Sequence, residues 1–129
     1  MKQLQQTDYA RQIHRKSVQK PLQEMARFLD DTLTRPLLMY ILDVKDPKTI
    51  ARWIKGEVSG IRSLEVQKRL RAADQVVELL LLVEGPDSIP GWFLGMNPVL
   101  DDESPADVLH DGRFSDAMNA AASYVTLAW

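Results

Sequence analysis

The chain has 129 residues, 45% of them hydrophobic and 26% charged. That excludes a fully disordered polypeptide and suits one domain or two small subdomains sharing a core. It has no cysteine, which excludes disulfides, thiolate metal sites and a cysteine nucleophile and fits a reducing, cytoplasmic compartment.

The net charge of −2 conceals a strong asymmetry. Residues 1–72 carry 15 Lys+Arg against 8 Asp+Glu, a balance of +7, whereas residues 73–129 carry 1 Arg against 10 Asp+Glu, a balance of −9. The basic half can meet phosphate. The acidic half is repelled by phosphate and is expected to meet protein instead. The opening residues have no apolar signal core, and the longest apolar run, Val76 to Val83, is interrupted by Glu78 and too short to span a bilayer. A soluble protein without a membrane segment is expected.

Residues 1–20 are polar and basic, with Lys2, Arg11, Arg15, Lys16 and Lys20 against Asp8. They read as a solvated arm, with contact to a phosphate backbone or to a second copy as alternatives. Residues 21–33 predict a helix, with Pro21 at its start and Leu22, Met25, Ala26, Leu29 and Leu33 at three- and four-residue spacing. Thr34 and Pro36 predict the start of a second helix over Leu37–Leu42, apolar enough to be wholly buried. A turn over residues 43–46 leads to the stretch around which the chain is organised. Asp46 predicts an N-cap, Pro47 the first helical residue, and Gly56 a left-handed stop.

At about 100° per residue, with Lys48 at zero, Arg52 falls at about 40° and Lys55 at about 340°. Ile50 and Ile54 fall opposite, at about 200° and about 240°, and Trp53 lies at the boundary. One face is apolar and the other cationic, the pattern of a recognition helix; a short solvated helix shares it. Residues 21–62 thus read as a helix-turn-helix, with a plain helical hairpin as the alternative. Its candidate DNA contacts are Lys48, Thr49, Arg52 and Lys55, with Lys45 on phosphate.

Ser63 predicts the cap of the longest helix, running to about Glu84, with a stripe of Val66, Leu70, Ala73, Val77 and Leu80. Its end, Leu79 to Val83, is apolar on all sides and is expected to be covered all round, in the core or in a dimer seam. After Gly85-Pro86, residues 88–96 form a short helical turn carrying Trp92 and Phe93. Asn97-Pro98 breaks it, and Leu100 anchors an exposed acidic loop, Asp101 to Glu103. Ser104-Pro105, with Asp107 behind, starts a helix ending near Asp111-Gly112. The last helix covers about residues 113–125, with Phe114, Ala117, Met118, Ala121 and Val125 on its stripe. Thr126 to Trp129 form an apolar tail, and Trp129 packs either on the domain or on a partner.

No enzyme constellation is present. His14 and His110 lie in different halves without metal-pair spacing, and both read as surface residues. There is no Gly-rich phosphate loop or nucleophile elbow, and no catalytic residue, metal or cofactor is expected.

The ordered set Trp92-Phe93, Asn97-Pro98, Leu100, Ser104-Pro105, Leu109 and Asp111-Gly112 resembles the toxin-binding domain of the Xre/MbcA/ParS-like antitoxins. Upstream, Ala51-Arg52-Trp53 and Gly56 before a long leucine-rich helix are similar to the helix-turn-helix half of that family. The resemblance covers roughly residues 34–125. It differs at Asp101 to Glu103, where the family often has glycine, and in the tail Leu127-Ala-Trp129, where the family's is often glycine-containing.

The resemblance implies an all-α protein in which a helix-turn-helix part (21–62), preceded by a basic arm (1–20), is joined by a long helix to a helical toxin-binding part (63–129). It implies the antitoxin of a type II toxin–antitoxin system, whose partner is a RES-type toxin that consumes NAD. The antitoxin would cover the toxin's active site and repress its own operon by binding operator DNA, as a homodimer or within a larger assembly. Met118, Tyr124, Val125, Leu127, Ala128 and Trp129 are then the candidate toxin contacts. The alternative is a stand-alone repressor whose C-terminal part only dimerises.

Overall fold

Side-chain caps set where three of the helices begin. The Asp46 carboxylate accepts the Lys48 N–H at 3.0 Å, the Ser63 hydroxyl accepts that of Val66 at 3.3 Å, and the Ser104 hydroxyl accepts that of Asp107 at 3.1 Å. Each satisfies a donor that the first turn leaves open, an effect of about 1 kcal/mol.

Left-handed residues set the stops. Gly56 (φ 99°) and Gly112 (φ 80°) each close a helix with paired bonds, Glu57 N–H to Arg52 and Gly56 to Trp53, then Arg113 to Val108 and Gly112 to Leu109, all at 3.0 Å. Asp43 (φ 56°) makes the same closure without glycine, through Val44 N–H to Met39 at 2.9 Å and Asp43 to Tyr40 at 3.2 Å.

The computed structural model describes residues 11–13, 20–57 and 63–128, and every element among them is helical. The elements are α1 (Leu22–Leu33), α2 (Arg35–Leu42), α3 (Pro47–Ile54), α4 (Leu64–Leu80), α5 (Ile89–Leu94), α6 (Pro105–His110) and α7 (Phe114–Ala128), with 3₁₀ turns at Pro86–Ser88 and Pro98–Leu100. Residues 11–13 are also helical. No helix among the described residues is long and apolar enough to cross a membrane.

One apolar core runs through the molecule. α1 contributes Met25, Ala26, Leu29 and Leu33, α4 contributes Leu70, Ala73, Val76, Val77, Leu79 and Leu80, and α7 contributes Ala117, Ala120, Ala121 and Val125. The small residues of α7 let it lie close along α4. Phe93 (0% exposed) and Leu100 (4%) pin the segment between them, and Trp92 packs edge-on against Phe93 with centroids 5.2 Å apart.

Four features depart from the sequence reading. α2 is buried on one side only: Leu37, Leu38, Ile41 and Leu42 face the core, whereas Tyr40 is 45% exposed. α4 ends at Leu80, because Leu82 and Val83 turn to i→i−3 bonds with Leu79 and Leu80 at 3.1 Å; Leu82 is consequently 41% exposed rather than buried in the core of the chain. The C-terminal residues through Ala128 continue α7 instead of trailing from it, and the Thr126 hydroxyl donates to the Ala122 carbonyl at 2.9 Å.

The fourth is Lys20. Expected from sequence in the solvated arm, it is 8% exposed, and its ammonium lies 2.6 Å from the Asp74 carboxylate, 3.0 Å from that of Glu78 and 4.4 Å from the centre of the Phe28 ring. The acidic loop also has a defined shape. Asp101 (φ 53°) and Asp102 (φ 68°) are both left-handed, a conformation that glycine adopts most readily and aspartate tolerates.

Candidate functional site

α3 is short, with a strongly two-sided sequence. Its underside, Ile50 (0% exposed) and Trp53 (4%), is sealed against the core, so Trp53 belongs to the buried face rather than its edge, and Ile54 is half-buried. Lys48, Arg52 and Lys55 are exposed, at the i, i+4, i+7 spacing that aligns them on one face. Thr49 lies beside them, half-buried, and its hydroxyl accepts from Arg52 Nη2 at 3.3 Å. None of the three cations is ion-paired to a described residue. Lys45, just before the helix, is exposed and 3.1 Å from Asp43, whose carboxyl it holds below its ordinary range through that hydrogen bond and its charge.

The two preceding helices hold α3 at both ends. Gln23 Nε2 and Arg27 Nη2 both donate to the Ile54 carbonyl, at 2.9 and 3.2 Å. Arg35 Nη1 donates to the Pro47 carbonyl at 3.3 Å, while its Nε and Nη2 grip Asp30 at 2.7 and 2.9 Å. That bidentate bond holds the Arg35 guanidinium above its ordinary value. The sequence reading missed Gln23, Arg27 and Arg35 because their partners are backbone carbonyls, which no side-chain motif marks.

The C-terminal candidates do not form one surface. Val125 is 1% exposed and faces the core, so it holds α7 in place and is no contact residue. Met118 is half-buried and, with Ala72, Phe114 and Asn119, lines a crevice of about 240 Å³ between α4 and α7. Tyr124 is half-buried; its hydroxyl donates to the Glu84 carboxylate and its ring meets Trp92 with centroids 6.5 Å apart. It thus ties α7 to the turn after α4. Leu127 is 85% exposed and Ala128 is exposed. Trp129 lies outside the described residues, as do His14 and the arm residues Lys2, Asp8, Arg15 and Lys16.

His110, read from sequence as a surface residue, joins the two halves of the chain. Its ring stacks on Tyr40 with centroids 4.5 Å apart, and its Nδ1–H donates to the Tyr40 carbonyl at 2.7 Å. Arg69 donates to the His110 carbonyl through Nε at 3.2 Å and Nη2 at 2.9 Å. The Tyr40 hydroxyl donates to Asp107, and that bond, burial and the charges of Asp107 and Asp111 push the phenol up to about 12. Tyr124 is raised in the same direction by its bond to Glu84.

An alkaline titration followed by tyrosinate absorbance should therefore show Tyr40 and Tyr124 ionising later than free tyrosine, at about 10. A raised folded value means that the Tyr40 bond stabilises fully below pH about 10 and is lost as pH rises through about 12. Tyr40→Phe should abolish the late-titrating signal assigned to that residue. Its persistence would remove the assignment.

Among the described residues no group of three or more His, Asp or Glu side chains is placed to hold a metal ion. An open groove of about 470 Å³, walled by Pro36, Leu37, Tyr40, Leu94 and Ala106, runs across the same junction. No family model, curated protein or solved structure matches the chain.

Proposed function

We propose that this chain is the antitoxin of a type II toxin–antitoxin system. It neutralises a RES-type, NAD-consuming toxin with its acidic half and represses its own operon with its basic half. α2 and α3 act as a helix-turn-helix, and α3 enters the major groove of operator DNA with Lys48, Thr49, Arg52 and Lys55 toward the bases and Lys45 on phosphate.

The observation that carries this reading is the two-sidedness of α3 on a chain whose charge is segregated. Three aligned, exposed cations stand over a sealed Ile50–Trp53 underside, and residues 73–129 carry a single Arg against 10 acids. A face of that kind favours a polyanion, and an acidic half disfavours one. The motifs from Trp92-Phe93 to Asp111-Gly112 add the antitoxin resemblance. The loop in which that family often has glycine is left-handed here at Asp101 and Asp102.

The toxin contact is assigned to the end of α7. Leu127 and Ala128 are exposed there, and with Trp129 they approach the toxin's cleft. Leaving an apolar side chain such as Leu127 in water costs roughly 2 kcal/mol relative to burying it, so a protein partner gains by covering it.

The test is co-purification with the product of the adjacent reading frame, followed by NAD consumption with and without this chain. The full chain is expected to form a tight complex that silences NAD loss. Deleting residues 126–129 should abolish the protection, with a melting temperature close to that of the full chain, because the core residues of α7 end at Val125. A fully protective truncated form would move the toxin contact elsewhere. The exposed Leu94 (64%), Met96 (76%) and Val99 (52%) favour a second reading, a stand-alone repressor whose C-terminal half dimerises. Intact DNA binding without any toxin complex would select it.

A further inference from the structure

The Ile54 carbonyl at the C-terminal end of α3 has two side-chain donors, Gln23 at 2.9 Å and Arg27 at 3.2 Å. One neutral donor satisfies that carbonyl, so capping alone does not call for an arginine. Arg27 is exposed and makes no ion pair with a described residue. Arg35, at the other end of the helix, differs: Asp30 holds it through two bonds at 2.7 and 2.9 Å, which makes it a positioning residue for α3.

Dimensions add the second half of the argument. A helix of 8 residues is about 12 Å long, and the major groove of B-DNA is about 12 Å wide. With α3 set across the groove, its two ends reach opposite phosphate walls. Lys45 stands before the N-terminal end, in an exposed pair with Asp43 that is weak enough to be exchanged for phosphate. Arg27 stands at the C-terminal end.

We infer that Arg27 is a phosphate-binding residue, whose guanidinium meets a backbone phosphodiester of duplex DNA on the strand opposite the one that Lys45 meets. This rests on the DNA-binding reading of α3. Gln23 keeps the Ile54 carbonyl satisfied when Arg27 turns to the phosphate. The contact supplies affinity and register rather than sequence choice.

The experiment titrates Arg27→Gln beside the wild type over a range of salt, on the duplex upstream of its own reading frame and on a scrambled duplex of equal length. Glutamine removes the charge, and Gln23 still satisfies the Ile54 carbonyl at 2.9 Å. The slope of log affinity against log salt is expected to fall by about 0.9 on both duplexes. The affinity ratio between the two duplexes and the melting temperature should stay as in the wild type. Gln23→Ala alters the same cap without altering charge and should leave the slope at its wild-type value.

An unchanged slope in Arg27→Gln, or an equal fall in Gln23→Ala, overturns the inference and leaves the DNA reading standing. A wild-type chain that binds neither duplex overturns both.

Discussion

Replacing Lys48, Arg52 and Lys55 together by glutamine is expected to weaken duplex binding on the order of a thousandfold, at about tenfold per lost cation. The salt slope should flatten by up to about 2.7, which is about 0.9 for each cation that neutralises a phosphate. The division of that loss is informative. A cation that meets phosphate lowers affinity for all sequences alike, whereas one that meets a base edge relaxes preference at a single position. Arg52, tethered by Thr49 at 3.3 Å, has the more fixed direction and is expected to carry the larger share of sequence preference. All three side chains are exposed, so the melting temperature should hold within a few degrees. Glutamine is also a good helix former, so the backbone of α3 is not the variable. A triple variant that binds with the wild-type affinity and slope would show that this face does not meet DNA.

Local chemistry made the boundaries of α3 legible in the sequence. Asp46, Pro47 and Gly56 each act within one turn, and none needs the rest of the molecule to do so. The same holds for Ser63, for Ser104-Pro105 and for Gly112. Burial that depends on distant partners was less legible. Tyr40 sits in an apolar run but is 45% exposed, because it lies off the core side of α2 and stacks on His110 of α6. Val125 stands near the exposed end of α7, yet it shares a stripe with Ala117 and Ala121 and is buried with them. The bonds to Ile54 and Pro47 carbonyls were invisible, since any donor at the right place in space can make them. One long-range feature did leave a trace: Asp74 lies four residues after Leu70 and three before Val77 on the buried stripe of α4. An acid there calls for a cation from elsewhere in the chain.

That cation is Lys20, and Lys20→Met is expected to cost about 3 kcal/mol of stability. The substitution preserves most of the side-chain volume and its apolar stem. It removes the charge that lies 2.6 Å from Asp74, whose side chain is 0% exposed, and 3.0 Å from Glu78. The penalty comes mainly from the acid left behind in a low-dielectric surrounding rather than from the net worth of the pair. For a chain of 129 residues that corresponds to a fall in melting temperature of roughly 10 °C.

Adding Asp74→Leu to Lys20→Met should recover much of the loss, because an apolar replacement of the whole buried pair is close to neutral. Burial lowers the affinity of Lys20 for its proton, but the hydrogen bonds and charges of Asp74 and Glu78 outweigh it and hold the ammonium above its ordinary value. The stabilisation is therefore full below pH about 10.4 and is lost as pH rises through the higher folded value. Lys20 also anchors the chain two residues before α1, the helix from which Gln23 and Arg27 hold the end of α3. Lys20→Met should accordingly weaken duplex binding near its own melting range while leaving the salt slope unaltered. A change in slope at low temperature would mean that Lys20 meets DNA directly, and an unchanged melting temperature would remove the buried ion cluster from the account of the fold.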